Sequence, residues 1–94
     1  MTETADAVVI GGGILGASTA YYLSQLGFGK IALLEKHTLA CGSTGKSAAV
    51  IRSFYSNEVC VKLARRALDM FEHFPEELGE DVGYHRIGYM VITD

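Results

Sequence analysis

Asp6-Ala-Val-Val-Ile-Gly-Gly-Gly-Ile-Leu-Gly16 is the stretch that decides how this chain folds. Ala7 to Ile10 is a short apolar run rich in β-branched residues, the pattern of a central parallel strand covered on both faces. Glycines follow at once, with Gly11, Gly13 and Gly16 in the G-x-G-x-x-G spacing. The first permits a tight turn, the second lets a phosphate approach the backbone, and the third lets helix pack closely on strand. A helix opening near Gly13 would aim the N–H groups of its first residues, Ile14 and Leu15 among them, and its positive dipole end at a pyrophosphate.

Outward from the glycines, a helix is expected through Tyr21, Tyr22 and Leu26, with Gly27 and Gly29 as its stop. Lys30-Ile-Ala-Leu-Leu-Glu35 reads as a second buried strand. Glu35 ends it about 20 residues past the glycines, where an acidic side chain can accept hydrogen bonds from adenosine ribose hydroxyls, with Lys36 beside it. A glycine-rich turn alone also ends ordinary strands. Joined to a helix, a second strand and a terminal acid, it predicts an α/β, Rossmann-like βαβ unit that binds a dinucleotide.

From Lys36 to Ser47 the chain becomes small and polar, a loop dense in hydroxyls and backbone N–H groups. Gly45-Lys46-Ser47 with Ala40 five positions earlier imitates a phosphate-binding P-loop. Its first glycine is missing, though, and Lys-His-Thr-Leu separates it from the strand it should follow directly. Further on, Ser56 is expected to cap a helix with Glu58 in its first turn. Val59, Cys60, Leu63, Ala64, Ala67, Leu68, Phe71 and Phe74 recur at helical spacing, and Pro75 is expected to end the element. The acidic run Glu76 to Gly83 reads as a solvated turn, and Gly88 to Thr93 as a strand. Two segments are expected: residues 1–56 as the N-terminal part of a dinucleotide-binding domain, and residues 57–94 as a helix and first strands leading into a substrate domain.

With 94 residues, 49% of them hydrophobic and only one proline, the composition suits a globular α/β protein rather than a disordered one. A doubly wound fold needs more strands than this length carries, so the βαβ unit is incomplete and the chain is expected to be an N-terminal piece. The net charge of −3 gives no basic patch for nucleic acid or an anionic membrane, and no apolar run is long enough for a membrane span. Cys41 and Cys60 lie far apart, and no set of His, Cys, Asp and Glu has metal-ligand spacing. No leader peptide is evident, and a cytoplasmic location is expected.

At Ser43-Thr-Gly-Lys-Ser47 followed by Val50-Ile-Arg-Ser-Phe-Tyr55, the chain resembles FAD-dependent amine oxidoreductases of the D-amino-acid oxidase superfamily. Within that superfamily it resembles sarcosine oxidase beta subunits and dimethylglycine dehydrogenase relatives in particular. The resemblance also takes in Val-Val-Ile-Gly-Gly-Gly-Ile-Leu-Gly16, Leu-Leu-Glu-Lys36, the helix with Leu63, Ala64 and Leu68, and Gly-Tyr-Met-Val91. It implies FAD as cofactor, with Ser43, Thr44, Gly45 and Ser47 running beside its pyrophosphate and ribityl chain. It further implies hydride transfer to flavin from the α-carbon of a small amine or amino acid, whose carboxylate pairs with Arg52. Relatives with covalent flavin carry a histidine just after such a loop; Gly45 and Lys46 stand there instead, which argues against attachment within this stretch. Two rivals remain open, an NAD-dependent dehydrogenase and a non-catalytic dinucleotide-binding subunit. Partner subunits or an electron-acceptor protein are also open.

Overall fold

A computed structural model describes residues 2–94. It divides into two compact units, Met1–Ala48 and Ala49–Asp94.

The first unit is a βαβ turn of chain: β1 (Ala7–Ile10), α1 (Ile14–Gln25) and β2 (Ile31–Leu34). The strands are parallel, pairing Ala7 with Ile31 through Ile10 with Leu34. The ladder is extended at both ends. Asp6 N–H donates to the Lys30 carbonyl at 2.9 Å, and Gly11 N–H to the Leu34 carbonyl at 2.8 Å. Asp6 also takes the Lys30 N–H on its carboxylate at 2.7 Å, fixing where β2 begins. The helix stops at the expected place, with Leu26 as its cap and Gly27 in the left-handed region at φ 72°.

α1 packs against both strands and covers one sheet face. Ala7 and Val9 are half-buried, while Val8 and Ile10 on the other face are exposed, Ile10 to 85%. The strand was expected to be covered on both faces; within this unit only one layer exists to cover it. Among the described residues no hydrophobic side chain is fully buried. One 12-residue helix on two four-residue strands covers too little surface to enclose one, and the other sheet face has nothing against it within this unit.

The second unit is organised by α2 (Glu58–Leu78). Asn57, not Ser56, is its N-cap: the Asn57 side chain accepts the Cys60 N–H at 2.9 Å, and Glu58 occupies the first turn. Its partly covered stripe runs through Cys60, Ala64, Ala67, Leu68, Phe71 and Phe74, with Val59 and Leu63 exposed. Pro75 does not end the helix. The element continues through Glu76 and Glu77 to Gly79, which caps it at φ 77° and donates its N–H to the Pro75 carbonyl at 3.0 Å. Proline forfeits one hydrogen bond, to Phe71, yet the apolar stripe and the αL cap carry the helix past it. Beyond Gly79 the chain returns along α2, with Tyr84 packed on Phe71 at 5.9 Å between ring centroids and Arg86 paired with Glu72 at 3.3 Å. The segment expected as a strand, Gly88 to Thr93, forms none among the described residues. Its residues have suitable propensity, but a strand exists only where another backbone takes its hydrogen bonds.

Candidate functional site

The predicted glycines serve three different needs. Gly11 sits at φ 107° with open space where a Cβ would point, so its requirement is conformational. A Cβ on Gly16 would run into the Gly11 carbonyl and touch Val9, so its requirement is close packing of helix on strand. A Cβ on Gly13 would come to 3.0 Å of the Thr44 hydroxyl, so its requirement is room beside the helix start.

That helix start is open. Gly13 is the N-cap of α1 and makes no side-chain capping bond, and no acidic residue occupies the first turn. The first N–H groups of a helix have no acceptor within it. Ile14 N–H donates instead to Thr44 Oγ1 at 3.0 Å, across 30 residues of sequence, which brings the hydroxylated loop onto the same spot. Leu15 and Gly16 complete the first turn. Positive dipole, uncommitted donors and a hydroxyl therefore converge where an anion would sit.

Glu35 faces the turn from the end of β2. Its two carboxylate oxygens accept separate backbone donors, Gly12 N–H at 2.8 Å and His37 N–H at 2.9 Å. Those two bonds, Gly12 first, hold its pKa below the ordinary carboxylate value, so it is an anion at neutral pH. Each oxygen keeps a further lone pair for a ligand hydroxyl. Beside it, a groove of about 600 Å³ is lined by Ile10, Gly11, Leu33, Leu34, Glu35 and Lys36. This is the carboxyl end of both strands, the position at which open α/β sheets take their ligands.

Gly12 was not among the predicted site residues, yet it ties the site together. Its N–H goes to Glu35, its carbonyl accepts the Ala40 N–H at 2.9 Å, and a Cβ there would come to 2.7 Å of Leu39 and 3.1 Å of the Glu35 Cβ. The sequence signal was the run of three glycines, one more than the motif requires. Further along the loop, Ser43 and Thr44 accept turn bonds from Lys46 and Ser47 through their carbonyls, and a Cβ on Gly45 would meet the Ala40 carbonyl. The structure thus gathers Gly11, Gly13, Ile14, Gly16, Glu35 and Thr44 around the turn. Lys36, Ser43 and Ser47 are exposed. Arg52 belongs to the second unit, where its guanidinium carbon lies 5.3 Å from the centre of the Tyr55 ring.

Residues 6–94 match the DAO family, described as FAD dependent oxidoreductase. The chain belongs to this family. Membership sets aside the nicotinamide-dependent dehydrogenase. The chain is 36% identical over 86 residues to the mitochondrial dimethylglycine dehydrogenase of Rattus norvegicus, covering 92% of itself and 10% of that protein. It is 36% identical over 86 residues to sarcosine oxidase subunit beta of an Arthrobacter species, covering 90% of itself and 21% of the subunit. It is also 38% identical over 84 residues to the mitochondrial pyruvate dehydrogenase phosphatase regulatory subunit of Mus musculus, covering 89% of itself and 10% of that protein. The chain therefore spans only a tenth to a fifth of the length of these relatives. No solved structure matches it significantly. No helix among the described residues is long and apolar enough to cross a membrane.

The residues present fit the adenosine and pyrophosphate half of FAD. The fit rests on the uncapped α1 start beside side-chain-free Gly13, the Thr44 hydroxyl and the doubly anchored Glu35 anion.

Proposed function

We propose that the protein carrying this chain is an FAD-dependent oxidoreductase of a small amine that bears a carboxylate, of the sarcosine, dimethylglycine or amino-acid type. The observation that carries the cofactor half of this reading is the Glu35 carboxylate held beside the glycine turn, opposite an uncapped helix start. Gly11, Gly13, Ile14, Leu15 and Gly16 cradle the pyrophosphate, and Glu35 takes the ribose hydroxyls on the lone pairs that Gly12 and His37 leave unused. Lys36 stands next to the ribose. Ser43, Thr44, Gly45 and Ser47 line the path from pyrophosphate toward the ribityl chain. Bound FAD supplies the acceptor for a hydride from the substrate α-carbon, and the chain's part is to orient that carbon. Arg52 does so by pairing its planar fork with the substrate carboxylate. The names of two relatives support the substrate class.

A second reading has its own support in the likeness to a regulatory subunit: a flavin-binding subunit without turnover. One experiment tests both. The complete protein is purified, its flavin absorbance recorded, and sarcosine or dimethylglycine added without oxygen. Bleaching of the flavin bands supports the oxidoreductase. Flavin that neither amine bleaches supports the subunit, and protein that cannot take up FAD overturns the cofactor site itself.

A further inference from the structure

We infer that Tyr55 is a positioning residue for Arg52, its ring seating the guanidinium so that all the N–H donors stay available to a planar carboxylate. The inference rests on the reading that Arg52 takes the substrate carboxylate, and it names what prepares that residue for the task.

Three features of the second unit carry it. The Arg52 guanidinium carbon lies 5.3 Å from the Tyr55 ring centre, within the range of cation–π attraction. Arg52 makes no ion pair among the described residues, whereas Lys62, Arg66 and Arg86 are paired with Glu58, Asp69 and Glu72. And Phe54, the neighbour of Tyr55, packs on Tyr89 at 5.5 Å between centroids, which steadies the backbone from which the Tyr55 ring projects.

The chemistry separates this arrangement from an ordinary surface arginine. A salt bridge to a carboxylate of the chain would consume two of the five guanidinium donors and neutralise the charge that a ligand must find. Contact with a ring consumes none of them, because the ring attracts the cation through its π-electrons. It also narrows the rotamers of a long side chain before the ligand arrives, so less freedom is lost on binding. The phenol hydroxyl has no part in this. The face of the ring is what matters, and phenylalanine should serve as well as tyrosine.

The test uses the complete flavoprotein with four variants: Tyr55→Leu, Tyr55→Phe, Arg52→Lys and the double variant Arg52→Lys with Tyr55→Leu. Acetate, a carboxylate without an amine, is titrated while the flavin spectrum is followed, and KM and kcat are measured for sarcosine and for dimethylamine, which lacks the carboxylate. Tyr55→Leu should weaken acetate binding and raise the sarcosine KM by about 2- to 5-fold, leaving kcat, flavin content and dimethylamine kinetics unchanged. Tyr55→Phe should stay within about twofold of the parent. In the Arg52→Lys background, Tyr55→Leu should add nothing, because the two residues act as one unit. If Arg52→Lys weakens acetate and Tyr55→Leu does not, the positioning role is wrong and the carboxylate role of Arg52 stands. If Tyr55→Phe is as damaging as Tyr55→Leu, the hydroxyl acts rather than the ring face, which also overturns the inference. If Arg52→Lys itself leaves acetate binding unchanged, the carboxylate reading falls and the inference falls with it.

Discussion

Glutamine at position 35 should be nearly as damaging as alanine, although it differs from glutamate by one atom. Each Glu35 oxygen accepts a different backbone N–H, from Gly12 at 2.8 Å and from His37 at 2.9 Å. An amide has one oxygen and one NH2 group, so Glu35→Gln must leave one backbone donor facing another donor. Gly12 is the more enclosed of the two partners, which makes its N–H the costlier one to orphan, at about 1–3 kcal/mol. Loss of the charged acceptor for the ribose hydroxyls is a separate loss, felt only when FAD binds. FAD affinity of the complete protein should therefore fall by at least one to two orders of magnitude, roughly, in Glu35→Gln as in Glu35→Ala. The assay is titration of flavin-free protein with FAD, read by quenching of flavin fluorescence, alongside the thermal midpoint without FAD. The midpoint isolates the turn, since no ribose is present. The pH dependence has a definite sign. Because the folded-state pKa of Glu35 is lowered, its contribution is full above the unfolded value of 4.5 and is lost as pH falls through the folded value. Wild-type affinity in Glu35→Gln, at an unchanged midpoint, would refute the double-acceptor argument.

Four further outcomes are expected. Gly13→Val should give folded protein that retains little flavin, because its side chain fills the space against the Thr44 hydroxyl; equal flavin content at equal yield would move the phosphate site elsewhere. Asn57→Ala should lower stability by about 1 kcal/mol while Ser56→Ala changes it by only a few tenths, read by urea unfolding; the reverse order would restore Ser56 as the cap. Gly79→Ala should cost about 1 kcal/mol, since it forces a side chain into the left-handed region that closes α2. His73, whose Nδ1 donates to the Asp69 carbonyl at 2.7 Å, has its pKa raised by that bond and then by the Asp69 charge. Its stabilising effect is thus present below the unfolded value of 6.5 and lost as pH rises through the folded one, so the thermal advantage of the parent over His73→Gln should shrink as pH rises above 6.5.

Short-range pattern made the first unit legible. The β-branched run gave Ala7–Ile10 as the first strand, and the second is Ile31–Leu34, one residue shorter at each end than expected. What escaped were effects of distance and competition. Thr44 reaches α1 from 30 residues away, and no local rule announces a hydroxyl that takes the Ile14 N–H across that separation. Ser56 and Asn57 are both good caps, and only the register of α2 chooses between them. Pro75 carries a rule about helix ends that is a matter of cost, and the packing of Phe71 and Phe74, with rings 5.1 Å apart, together with the Gly79 cap, outweighs it. Gly88 to Thr93 reads as a strand because propensity is local, whereas pairing belongs to two chain segments at once. Arg52 was legible as a charge within an apolar stretch, but its contact with Tyr55 was not.

The enclosure of Gly12 sets a rule of inheritance. The volume that a methyl group would need at this position is shared between the Leu39 side chain and the base of Glu35. Leu39 is an exposed, movable tip; the Glu35 Cβ is fixed to the end of a strand. An alanine at 12 would therefore displace the Leu39 tip at little cost but press on the Glu35 Cβ, which cannot swing away, so it is the seat of Glu35 that holds glycine at 12. Across descendants of this sequence, glycine at 12 should persist wherever position 35 stays acidic, while position 39 varies without regard to either.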